Sequence, residues 1–266
     1  MGQNYSHTVS DNFQITTLQQ FLSSIGLSQS DYDTSGNGQV VKKCLILKTA
    51  VSKTIFQKQF KYICAPYLLS VVENQFIQVS VKKIFMPLVK DVHRCGFQIK
   101  SLDHLDFPSL QNASEYNFIN NTVKNINMPR LQLTHTSSFL NSYNLISFIA
   151  LQITEIGQSC FLDCKRLKVV IAPKAHISNF AFHNCPKLTT VLALRQDFTC
   201  YCNNCPKCKG KFGQCIENGL EFYELERTKF LQNAEDSGKF VQLMEKEAQF
   251  YGYNREDQNQ EAVVQE

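Results

Sequence analysis

The chain has 266 residues, 27 lysines and arginines against 23 acids, and 43% hydrophobic residues, enough for a sizeable core. No stretch approaches the ~20 apolar residues of a membrane span, and the amino terminus has neither the basic start nor the apolar run of a secretory signal. A reducing, cytoplasmic setting is therefore expected, in which the 11 cysteines are free thiols or metal ligands before they are disulfides.

Met1-Gly2-Gln3-Asn4-Tyr5-Ser6 fits the N-myristoylation pattern, with Gly2 as the acceptor. One acyl chain is a weak membrane anchor, and no basic cluster or nearby cysteine supplies a second signal. Residues 11–30 place Phe13, Leu18, Phe21, Leu22 and Ile25 on one helical face, which suits a terminal cap. Asp31-Tyr-Asp33-Thr-Ser35-Gly36-Asn37-Gly38 mimics the opening of an EF-hand loop, but Gly38 and Lys42 stand where an apolar residue and a bidentate Glu are needed, so it reads as a turn.

From Phe60 a seven-residue phrase, apolar-x-x-apolar-x-apolar-Pro, recurs at Phe60–Pro66, Val81–Pro87, Leu102–Pro108, Val123–Pro129 and Leu167–Pro173. Leu145–Leu151 is a further copy without its proline, and Leu188–Leu194 an interrupted one. Successive copies start 21 or 22 residues apart, the mark of a solenoid whose units bury their apolar faces only against neighbours. Within the phrase, alternation at positions such as Ile84 and Met86 predicts a short strand that the proline ends. Each unit closes on an aromatic, Phe76, Phe97, Phe118, Phe139, Phe161 and Phe182, which predicts a phenylalanine ladder. One strand per coil makes a parallel sheet with a spacing of about 4.8 Å. Val41–Leu47 is a degenerate first copy.

Residues 217–251 predict one or two helices, broken near Asp236-Ser237-Gly238. Residues 217–266 carry 12 acids against five bases, a net charge of −7, and leave +11 on the rest. The imbalance serves solubility or lets an acidic tail fold back over a basic body. The expected organisation is a helical cap and turn over 1–40, a solenoid of about seven repeats over 41–208, an acidic helical cap over 209–251 and a disordered tail over 252–266.

The units Leu145 to Cys164 and Leu167 to Cys185 resemble the BspA-like leucine-rich repeat family, in its divergent, protist-type form; the motif order is L-x-x-I-x-I-P-x-x-V-x-x-I-G-x-x-A-F-x-x-C. Only Ile156-Gly157 keeps the Ile-Gly step and only Ala181-Phe182 the closing Ala-Phe step. The resemblance implies a repeat solenoid, mostly β with some α, a parallel-strand leucine-rich repeat array with helical caps at both ends. It implies binding of proteins or host surfaces without catalysis.

The outward positions of the phrase form the expected recognition face: Lys83, Phe85, His104, Asp106, Asn125, Asn127, Ser147, Ile149, Val169, Ile171, Thr190 and Leu192. The row begins polar and ends apolar, and an exposed apolar end is a partner site unless the carboxy-terminal helix covers it. Cys200-Tyr-Cys202-Asn-Asn-Cys205-Pro-Lys-Cys208 with Cys215 is the densest chemistry. Cys202, Cys205, Cys208 and Cys215 supply enough thiolates for a tetrahedral zinc. Cys164, Cys185 and Cys205 also fall in register, so Cys205 equally reads as a rung of buried thiols in a cofactor-free protein, and redox chemistry stands as a third reading. The lysines are scattered with no nucleic-acid-binding module, and no phosphate loop, H-E-x-x-H or G-x-S-x-G occurs. The sequence thus points to a non-enzymatic scaffold that binds another protein. The alternative is a surface adhesin exported unconventionally, for which the sequons at Asn112 and Asn120 matter.

Overall fold

The computed structural model describes residues 16–57, 60–99 and 101–252. Gly2 and residues 253–266, nearly all of the expected tail, lie outside them. Two short helices open the described chain, α1 (Leu18–Ser24) and α2 (Gln29–Thr34), each started by a capping box, at Thr17 with Gln20 and at Ser28 with Asp31. Gly26 separates them at φ 74°, a conformation that glycine adopts most readily because it has no Cβ.

The array comes next, in order: β1 (Gln39–Val41), β2 (Cys44–Ile46), β3 (Tyr62–Cys64), β4 (Ser70–Val71), β5 (Lys83–Phe85), β6 (Asp91–Val92), β7 (Asn112–Ala113), β8 (Asn125–Asn127), β9 (Leu133–Thr134), β10 (Ser147–Ile149), β11 (Glu155–Ile156), β12 (Val169–Ile177) and β13 (Thr190–Arg195). It is a parallel-strand β-solenoid of about seven coils, entered by the antiparallel hairpin β1–β2 and followed by α3 (Phe212–Phe250). The strands form two files. The phrase strands pair β2-β3-β5 and then β8-β10-β12-β13, in the register Asn125, Ser147, Val169, Thr190. The two-residue strands pair β4-β6-β7-β9-β11-β12 along a second face. The coil His104-Leu105-Asp106 carries no strand, so the first file is split between β5 and β8.

Between the files lies the core. Phe76, Phe97, Phe118, Phe139, Phe161 and Phe182 are all buried, and neighbouring centroids lie 5.1 to 6.0 Å apart. Each ring both fills its coil and covers the ring below, so a coil in isolation leaves an aromatic face wet. Phe56 extends the ladder at one end and Phe198 and Phe212 at the other. The chain turns around five of the six repeat phenylalanines through left-handed residues two positions before and two after, as at Tyr116 and Asn120, Ser137 and Asn141, and Ser159 and Asp163, and around Phe97 through Cys95 alone. The later position is Asn or Asp in four coils, the side chains that tolerate this conformation best after glycine. Proline does not always end the strand: β12 runs through Pro173, which sits where the register shifts between Ala172 and His176 and no ladder N–H is required.

The expected break near Asp236-Ser237-Gly238 is absent, and α3 is one helix of 39 residues, about 58 Å long. It starts beside β13 and runs back across the phrase strands to the amino-terminal cap. Gly219 rests on the backbone of Val191, Gly238 faces Arg130, and Val241, Met244 and Ala248 join the cluster of Phe21, Leu22, Leu27 and Tyr32. Ser237 is buried against the rest of the protein, Gly238 makes only ordinary contact with the end of the Arg130 side chain, and the tertiary packing of the helix as a whole overrides their weak helix propensity.

Candidate functional site

The outward row of the phrase strands divides into a covered part and an open part. At the apolar end, Ile149, Val169, Ile171 and Leu192 are buried with Leu151 against Phe222 and Phe230 of α3. Ser147 and Thr190 are buried too, and Ser147 donates its hydroxyl proton to Asn125 Oδ1 at 2.8 Å. An exposed apolar stripe is therefore not what the fold presents. Strand alternation correctly points these side chains away from the coil interior, but the facing surface is the chain's own helix. Phe85 is likewise buried, stacked on Phe21 of α1 with centroids 5.5 Å apart.

The remaining positions stay open. Lys83, Asn125 and Asn127 are half-buried, and His104 and Asp106 are exposed. Lys83, Phe85, His104 and Asp106 line a groove of about 690 Å³ between α1 and the strandless coil, with Thr16 and Gln20 on one wall and Phe240 of α3 on another. The groove lies where the first file lacks a strand. Asp106 keeps access to solvent but stands among protein atoms, and that burial pushes its carboxyl up to about 6, with the nearby His104 acting in the opposite sense. Sequence pattern alone places His104 and Asp106 on a strand like the others.

Apolar contacts hold α3, with little help from charge. Lys90 to Glu245, at 3.0 Å, is its one ion pair with the repeats among the described residues. An acidic segment does fold back on a basic body, but what anchors it is Phe222 and Phe230 at one end and Val241 and Met244 at the other.

The second feature lies in the loop of 196–211, where Cys200, Cys202, Cys205 and Cys208 bring four sulfurs within 4.8 Å of one another. Cys205 Sγ is 3.7 Å from Cys200 Sγ and 3.5 Å from Cys208 Sγ, and Cys202 Sγ is 3.7 Å from Cys208 Sγ. The backbone N–H groups of Asn204 and Cys205 point at Cys202 Sγ from 3.4 and 3.2 Å. Burial pushes the Cys202 thiol up, but backbone N–H donors outweigh it and hold the group at about 6. Burial pushes Cys200 up to about 11 and Cys205 further. Cys215 does not join them. It sits on the first turn of α3, buried, with its thiol directed at the Leu188 carbonyl oxygen 3.6 Å away. The expected set of Cys202, Cys205, Cys208 and Cys215 thus becomes Cys200, Cys202, Cys205 and Cys208, because α3 carries Cys215 into the end of the core. The Cys200-x-Cys202 step was the available sequence signal for the missing member.

No helix among the described residues is long and apolar enough to cross a membrane. A family model described as the BspA type leucine rich repeat region matches residues 69–189 in six copies. No curated protein and no solved structure matches the chain.

Proposed function

Since residues 69–189 of this chain belong to the BspA type leucine-rich repeat family, we propose that the protein is a non-enzymatic scaffold that binds another protein through the open, polar part of its strand face. The observation that carries this reading is the groove over the strandless coil, where Lys83, His104 and Asp106 stand beside the apolar wall of Phe85 and Phe240. A concave site that mixes an apolar wall with a few charged groups suits a segment of a partner protein. The family background supports the same direction, since leucine-rich repeat arrays are typically binding surfaces without catalysis.

The reading places the protein in the cytoplasm, where the thiols of the 196–211 loop stay reduced. Export to the cell surface as an adhesin is the competing proposal, and staining of intact against permeabilised cells separates them. Labelling only after permeabilisation supports the cytoplasmic scaffold.

Affinity purification of the wild-type chain beside a Lys83→Glu, His104→Glu double variant tests the groove. Both residues are open to solvent to some degree, so the fold is expected to survive. Loss of one or more specific partners supports the groove as the interface. An unchanged partner list from a folded variant removes it.

A further inference from the structure

We propose that Cys200, Cys202, Cys205 and Cys208 form a structural zinc centre that staples the loop between the last coil and α3. In a tetrahedral four-thiolate site with zinc–sulfur bonds near 2.3 Å, the edge of the tetrahedron is about 3.8 Å. Three of the six sulfur pairs stand at 3.5, 3.7 and 3.7 Å, close to that edge and far beyond the ~2.05 Å of a disulfide bond, and all six lie within 4.8 Å.

Register supplies a second argument. Along the coils, one position directs a hydrogen bond to the phenylalanine carbonyl of the preceding coil: Ser142 to Phe118, Cys164 to Phe139 and Cys185 to Phe161. Cys205 stands where the next rung is due, and its thiol turns instead to Cys200 and Cys208. A thiol that served only to fill the core would have followed the rungs before it.

The surroundings fit a ligated cluster. Four thiolates on Zn²⁺ leave a net charge of −2. The segment from Cys200 to Lys211 holds Lys207, Lys209 and Lys211 and no acid. The N–H groups of Asn204 and Cys205 converge on Cys202 Sγ, the kind of outer-sphere donation that stabilises a ligating thiolate. The loop also needs a staple. Residues 196–211 carry neither helix nor strand, yet they must aim α3 so that Gly219 lands on Val191. Thiolate sulfur in tetrahedral array suits zinc or iron among available metals, and the redox-inert zinc suits a purely structural task.

Metal analysis of the full chain, purified with a reductant from zinc-supplemented culture, tests the centre. About one zinc per chain is expected, and a content below about 0.2, or iron in its place, overturns the proposal. Cys200→Ser is expected to lose most of the zinc and Cys215→Ser to keep it; the opposite pattern overturns the ligand set. Should Cys200→Ser fail to fold, Co²⁺ loaded into the wild-type chain decides. A tetrahedral four-thiolate absorption spectrum supports the centre, and a spectrum with fewer thiolates or octahedral geometry overturns it.

Discussion

Gly219 of α3 lies directly on the carbonyl of Val191 in β13, so that a methyl group at 219 would overlap that backbone oxygen. This contact is what lets the helix settle low enough for Phe222 to reach Ile171 and Leu192.

Gly219→Ala therefore sets two effects against each other. Alanine favours the helix by about 1 kcal/mol. Overlap with a backbone that cannot rotate away costs about 3 kcal/mol, at the upper end for overpacking. A net destabilisation of about 2 kcal/mol is expected, read as a lower midpoint in urea and faster amide exchange over 212–250. A rise in stability would mean that the helix does not dock as described.

Phe230→Ala removes a buried ring between α3 and the apolar strand end, and a loss of about 3 kcal/mol is expected. Leu225→Ala, on the exposed side of the same helix, is expected to change stability by less than about 0.5 kcal/mol. Chemical denaturation of the pair compares them directly. Equal effects would refute the assigned helix face.

Ser237 is fully buried, and its hydroxyl has no hydrogen-bond partner among the described residues. Ser237→Ala removes an unsatisfied group and improves helix propensity, so stability is expected to rise by about 1 kcal/mol. Ser237→Leu should do the reverse, since it forces the helix off the coils. Thermal melts of both variants check the sign.

For Asp106 the folded pKa of about 6 lies above the ordinary 3.8, so the folded chain holds this proton more tightly than the unfolded one. Its contribution to stability is fully present below about pH 4 and is lost as pH rises through about 6. Asp106→Asn is then expected to raise the melting temperature at pH ~7.5 and to leave it nearly unchanged at pH ~4. A lowered melting temperature at the higher pH would show that the carboxylate is stabilised in the groove.

The repeat was legible because every coil puts the same apolar positions to the same task, and the phenylalanine ladder follows from its spacing. The left-handed corners were also written in the chain, as Asn120, Asn141, Asp163 and Asn184, each two residues after a phenylalanine. The fate of the outward row was not legible. Alternation tells which way Ile149 or Ile171 points from its strand but is silent on what stands opposite. Likewise Ser237-Gly238 has the composition of a helix break, and only the docking of the helix on either side of it, through Phe230 and Val241, explains why the helix continues there. Cys215 was grouped with the other cysteines by distance along the chain, whereas a helix start at Phe212 separates it from them in space.

A stack of coils in contact only with their neighbours melts from its ends and frays coil by coil. Here Lys90 holds Glu245, 155 residues further on, and the same helix that grips the last coils also grips the first cap. The helix acts as the string of a bow: neither end can open without releasing it. The consequence is a protein that should unfold as one unit, with the final docking of the helix as its slow, long-range folding step.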